Sequence, residues 1–271
     1  MDDFTQTLIH YKIAIVLLVL IIIFAFEKIK PIVQSKAQRF RIRNNLGLWF
    51  INSVLSLLII LPLAQLGSQN ALGWRPQNFP FEAELVINLL LLDFLIYWWH
   101  RANHEIKFLW KFHEIHHLDQ FLDLTTSIRF HFGEVLLSSG FRLIAIILFD
   151  ISFSSIVIFE MLVLISSGFH HSNIKISEKW DVWISTLIVT PSIHGTHHHA
   201  IQKDTDSNYS TILSCWDVIF RSRNRKRRTA NSGIGVENKN DAGVFGPLIR
   251  PSIKEKKVIY LYFFQKETGL Q

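Results

Sequence analysis

The sequence predicts an all-α integral membrane protein, a helical bundle of about four transmembrane helices with a histidine-rich helical cap on the cytoplasmic side. Three observations carry this. The 271-residue chain is 49% hydrophobic with a mean hydropathy of +0.25, and its apolar residues are gathered in runs long enough to span a bilayer. The basic residues behind its formal charge of +6 flank those runs instead of forming a soluble basic domain, which argues against nucleic acid as a partner. Twelve of the 13 histidines fall between His100 and His199, at helical spacings.

Taken in order, Ile9 to Phe26 is apolar apart from His10, Tyr11 and Lys12 near its start. Basic residues follow it, not a small-residue cleavage site, so a retained helix is expected and not a removed leader. Lys28, Lys30, Lys36, Arg39, Arg41 and Arg43 then face a single acid, Glu27, which places this loop in the cytoplasm and the N-terminus outside. Leu46 to Leu66 carries Asn52 and Pro62 but no charge and reads as a second span. A turn containing Gly67, Gly73, Pro76 and Pro80 leads to a returning segment, Phe81 to Trp99, whose Tyr97-Trp98-Trp99 end is read as an interfacial belt. His100 therefore emerges inside.

Two more apolar stretches between Val135 and Phe169 meet near Asp150 and read as a helical hairpin with both ends in the cytoplasm. Arg142 and Glu160 lie within it and are expected to face the bundle or to snorkel. The run Arg221, Arg223, Arg225, Lys226, Arg227 and Arg228 again belongs inside, facing anionic lipid or an acidic carrier protein. The segment from Gly233, with Gly243, Gly246, Pro247 and Pro251 followed by Val258 to Phe264, is expected to cap the site from the cytosol. The chain thus divides into N-terminal helices with a basic loop (1–84), a histidine-rich region (85–220) and a basic cytoplasmic C-terminal tail (221–271).

The histidines form four groups: His100 with His104; His113, His116 and His117; His170 with His171; and His194, His197, His198 and His199. On a helix, positions i, i+3 and i+4 share a face, so HxxxH and HxxHH aim imidazoles in one direction. At this histidine frequency about 0.03 HxxHH matches are expected by chance, and the chain has two. So many imidazoles exceed the coordination of one ion, and two metal ions are implied. The single cysteine, Cys215, excludes a disulfide framework or a cysteine-held cluster within the chain. Ligand type alone leaves iron, zinc, copper and nickel open.

Over roughly Leu85 to Phe220 these residues resemble the fatty acid hydroxylase/sterol desaturase superfamily of membrane-bound di-iron oxygenases. The family order HRxxH, HxxHH, HxN, HxxHH is matched by His100 and His104, by His113, His116 and His117, by His171 in His171-Ser172-Asn173, and by His194, His197 and His198. Asp93, Leu109-Trp110, Thr190-Pro191, Asn208-Tyr209 and Trp216-Asp217 are similar to the family's usual accompaniments. The resemblance implies that these nine histidines hold two iron ions and that O2 is a cosubstrate. It also implies a membrane lipid as substrate, of the sterol, fatty acyl or sphingoid, alkylglycerol or carotenoid class, hydroxylated or desaturated. With no GxGxxG motif and no cluster cysteines, electrons are expected from a separate reductase or carrier.

Phe132 stands where the family often has proline in RxHPxE, which leaves His131 between ligand and supporting roles. His170 and His199 each adjoin a matched histidine, but adjacent helical residues point about 100° apart. Asp93 reads either as a carboxylate that orients an imidazole or as a polar contact between helices. The rival readings are a metal-dependent membrane hydrolase, a non-catalytic metal-binding membrane protein and a metal transporter. The last expects ligands near the bilayer midplane, not beyond the helix ends.

Overall fold

A computed structural model describes residues 3–34, 39–76 and 79–239, and these are α-helical with only isolated β-bridges. Lys36 of the first basic loop and the stretch carrying Gly243 to Phe264 lie outside the described residues. Among the described residues three helical segments are long and apolar enough to cross a membrane: Arg39–Gln69, Phe132–Phe149 and Phe153–His171. The first helix, α1 (Asp3–Ile29), turns the same kind of surface outward. Ile13, Leu18 and Ile21 on α1, with Leu57 and Leu58 on the second segment, are 60–71% exposed. An apolar belt of this extent is suited to hydrocarbon and not to water.

The second segment is not a regular helix. It runs as α2 (Arg39–Leu55), a π turn (Ser56–Ile60) and α3 (Leu61–Gln69). Pro62 at the start of α3 has no N–H to donate and its ring crowds the preceding turn, so the ladder widens just before it. After α3, α4 (Phe81–Glu105) and α5 (Lys107–His117) are separated by one extended residue, Ile106 (φ −98°, ψ 110°). That single break, with neither proline nor glycine to announce it, folds the first two histidine groups toward each other.

The hairpin expected around Asp150 is formed by α6 (Phe132–Phe149) and α7 (Phe153–His171). Asp150 adopts the left-handed conformation (φ 55°), and its carboxylate accepts from the Gly73 and Arg75 N–H groups at 2.9 and 3.0 Å, tying the α3–α4 loop to the turn. Ala64, Leu92, Ile146, Ile151, Ile156 and Phe159 form the apolar core among α3, α4, α6 and α7. Short helices complete the described chain: α8 (Glu178–Ile184), α9 (Pro191–His197), α10 (Gln202–Thr205) and α11 (Cys215–Ile219).

The basic residues depart from their expected role as a solvated flank. Arg41 is buried, donating to Asp119 at 2.8 Å and pairing with Asp123, which caps the 3-10 turn Leu124–Ile128. In the later run Lys226 pairs with Asp204 at 2.9 Å, Arg227 pairs with Asp181, and Arg228 is buried with its guanidinium donating to the Leu122 carbonyl at 3.1 Å. Buried charges need such partners, so much of this run closes the fold instead of presenting a free basic surface. Residues up to 239 also fold back: the Gly235 N–H donates to the His198 carbonyl at 3.1 Å.

Candidate metal centre

Two groups of imidazoles meet at the C-terminal ends of α4 and α7. His100, His104, His113, His117 and His197 form one, and His116, His171, His194 and His198 the other; within each, the ligand nitrogens all lie within 4.8 Å of one another. All nine histidines matched to the four boxes are therefore brought together. His117, His197 and His198 are fully buried, and the rings of His117 and His198 stack at 4.3 Å across the two groups.

The chain fixes many of these rings from behind. The Nδ1–H groups of His100, His197, His116 and His171 donate to the carbonyls of Tyr209 (2.7 Å), Ser207 (2.6 Å), Arg129 (3.1 Å) and Ser167 (2.8 Å). His113 Nδ1 meets the Glu134 carboxylate at 2.8 Å. A carbonyl oxygen only accepts, so in His116 and His171 the proton sits on Nδ1 and Nε2 presents a lone pair. Yet these two Nε2 atoms lie 2.9 Å apart. Two acceptors held that close repel each other unless a cation lies between them.

Further Nε2 pairs are His171–His194 at 3.0 Å, His194–His198 at 3.2 Å and His113–His117 at 3.3 Å. Nitrogens bonded to one ion at about 2.1 Å stand about 3.0 Å apart at a right angle and about 3.4 Å apart at a tetrahedral angle. The donor set and its spacing thus fit bound metal. Burial holds His116, His117, His194 and His198 well below the ordinary histidine range and pushes His197 down to about 3, which keeps these ligands neutral near pH 7.

A cavity of about 390 Å³ leads away from this centre. His100, His113, His116, His171 and His194 line one end, and its walls include Ile60, Leu92, Ile96, Trp99, Phe141 and Val163. The π turn contributes Ser56 and Ile60 to it.

The family model for fatty acid hydroxylases matches residues 85–222. The chain belongs to the fatty acid hydroxylase family. Relatives outside that model agree in kind. An ornithine lipid hydroxylase of Rhizobium tropici is 25% identical over 185 residues, covering 68% of this chain and 55% of the relative. The human alkylglycerol monooxygenase is 26% identical over 161 residues (55% of this chain, 33% of the relative), and a very-long-chain aldehyde decarbonylase of Oryza sativa subsp. indica is 28% identical over 173 residues (60% and 27%). The chain thus spans about half or less of these relatives' length. No solved structure matches it.

As a fatty acid hydroxylase family member the chain gives roles to residues whose sequence signal was only their company. Tyr209 holds His100 through its carbonyl, while Asp217 accepts from the N–H groups of Tyr209 (2.8 Å) and Ser210 (3.1 Å); Asn208 supplies the left-handed residue (φ 54°) that this loop needs. Thr190 and Pro191 are the cap and first residue of α9. Asn173 accepts from the Val33 N–H at 3.1 Å and anchors the third box to the end of α1.

Four residues left open by the sequence fall outside both groups. His131 accepts from the Gly133 N–H at 2.9 Å and caps α6. His170 packs its ring 4.0 Å from His194. Asp93 accepts from Ile212 N–H (3.3 Å), Leu213 N–H (3.1 Å) and Trp216 Nε1–H (2.8 Å), so it secures the 212–216 loop and orients no imidazole. His199 likewise faces Asp204, at 3.2 Å.

Trp99, read as part of an interfacial belt, and Trp110 are both half-buried beside the site. Trp99 lines the cavity, stacked on Phe141, and the Trp110 ring lies 5.0 Å from His104 and 5.4 Å from His117. Glu134 was passed over, although it ends the RxHPxE-like stretch; a carboxylate one helical turn after a capping histidine was its available signal.

Proposed function

We propose that this protein is a membrane di-iron oxygenase that hydroxylates or desaturates a lipid, with its histidine boxes on the cytoplasmic face of a bundle of about four spans. The observation that carries the reading is the pair of converging imidazole groups from which an apolar cavity leads away. Two iron ions held by the nine box histidines would supply the activation of O2 needed to break an unactivated C–H bond. Hydroxylation then consumes one O2, two electrons and two protons and releases water; desaturation consumes the same and removes two hydrogens from adjacent carbons.

The chain's own contribution is position. Glu134 and the Tyr209, Ser207, Arg129 and Ser167 carbonyls fix the imidazole planes and tautomers, which raises ligand basicity and pre-sets coordination geometry. The walls formed by Ile96, Trp99, Phe141 and Val163 exclude water and hold an aliphatic chain in line with the centre. A separate electron-donor protein completes the cycle at the cytoplasmic side. The named chemistry of the relatives, on ornithine lipid, alkylglycerol and very-long-chain aldehyde, favours an amphiphile with a long apolar part.

His117→Ala and His198→Ala, one from each group, test the reading. Each is expected to abolish oxidation and to lower bound metal to at most one ion per chain; full activity in either removes that residue from the ligand set.

A further inference from the structure

The two charges that the sequence places inside the α6–α7 hairpin both line the cavity that leads to the histidines. Glu160 on α7 is already partnered: Lys12 Nζ on α1 lies 3.1 Å from its Oε2. This close pair joins α1 to α7 and balances one charge with another. Arg142 on α6 is the surplus. Its nearest charged partner among the described residues is Glu160 Oε1 at 3.8 Å, too far for a hydrogen bond. A guanidinium with five N–H donors thus stands at the wall of an apolar cavity, on a helix apolar enough to cross a membrane, and the Lys12–Arg142–Glu160 trio carries a formal charge of +1.

A cation in such a place is costly, and intramembrane charges that are kept mark a ligand path or a partner. The helix α6 sets the distance. Glu134, which touches His113, and Arg142 are eight positions apart on it, or about 12 Å along the axis. On α7, Glu160 and His171 are eleven positions apart, or about 16 Å.

Resting on the function proposed above, we infer that Arg142 is a substrate-binding residue that takes an anionic end group, a carboxylate or another two-oxygen acid, of a long amphiphile whose apolar chain fills the cavity. The fork of donors matches a two-oxygen anion bidentately, and the anion neutralises the surplus charge. The oxidised carbon is then the one that reaches the histidines, on the order of ten C–C bonds from the end group. Arg142 is in this account a specificity-determining residue and takes no part in the oxidation itself.

The test uses the full chain purified in detergent and the quenching of its tryptophan fluorescence, since Trp49 and Trp99 line the cavity. The probes are doxyl-labelled stearic acid and its methyl ester. The wild-type protein should bind the acid about tenfold more tightly than the ester, and Arg142→Gln should bring the two within about twofold while leaving ester binding unchanged. Arg142→Lys, which keeps the charge, should retain part of the preference and guards against a glutamine variant that fails to fold. Equal binding of acid and ester by the wild type, or a preference that survives in folded Arg142→Gln, overturns the inference. O2-dependent oxidation is measured separately: a preference without oxidation sinks the oxygenase reading alone, and oxidation without a preference sinks the anion site alone.

Discussion

At the residue scale the centre depends on what stands behind each imidazole. His113 is oriented by Glu134 at 2.8 Å, and Asn103 Nδ2–H reaches the same carboxylate at 3.3 Å. Glu134→Ala should therefore weaken metal binding by roughly 10- to 100-fold in a metal titration, with Glu134→Gln losing less, because the amide oxygen still accepts from Nδ1–H. Unchanged affinity in the alanine variant would mean that His113 is held by its packing alone. The nine box histidines were legible because helical spacing reports a shared face directly. Glu134 and the carbonyl partners were not, since a backbone acceptor has no residue type and, for Ser207 and Tyr209, its position depends on how the 205–209 loop folds back. Asp93 shows the converse: a buried carboxylate near the boxes invites a ligand-orienting role, yet the N–H groups of Ile212 and Leu213 reach it first.

At the element scale, the fourth box is carried on α9, which packs against the strap that ends at Arg228, whose N–H donates to the Ser192 carbonyl at 2.8 Å. Gly195 sits between His194 and Thr196, and a Cβ there would collide with the side chain of the buried Arg228. Gly195→Ala should force that stem aside and cost about 1–3 kcal/mol of stability, read as a lower unfolding temperature together with reduced metal loading. A variant as stable as the wild type would show that the strap yields freely. The apolar runs made the long helices legible, and the positive-φ turn at Asp150 falls where two runs were seen to meet. The break at Ile106 was not visible, because no breaker residue marks it; it arises from α5 doubling back along α4 to bring His113 and His117 against His100 and His104.

At the scale of the whole molecule, the fold keeps a large set of neutral imidazoles out of water, and this has a pH signature. Burial lowers the pKa of His197 from 6.5 to about 3 and lowers those of His116, His117, His194 and His198 as well. The unfolded chain then binds more protons than the folded chain in that interval, so this contribution to stability is complete above pH 6.5 and is lost as the pH falls toward 3. Metal-stripped protein should show an unfolding temperature that is level above neutrality and falls steeply from about pH 6.5 downward; a flat profile would mean that water reaches the rings. The membrane class was legible from apolar runs, whereas the cavity is a tertiary product of α2, the π turn, α4, α6 and α7, and no one segment encodes it. The most direct test of the central claim joins metal content to turnover. Detergent-purified protein is loaded with ferrous iron, given an electron donor and a mixed lipid extract, and its products are weighed by mass spectrometry with and without O2. The account predicts about two iron ions per chain and O2-dependent lipid products that gain one oxygen atom or lose two hydrogens; iron-independent products, or products formed equally without O2, would contradict it.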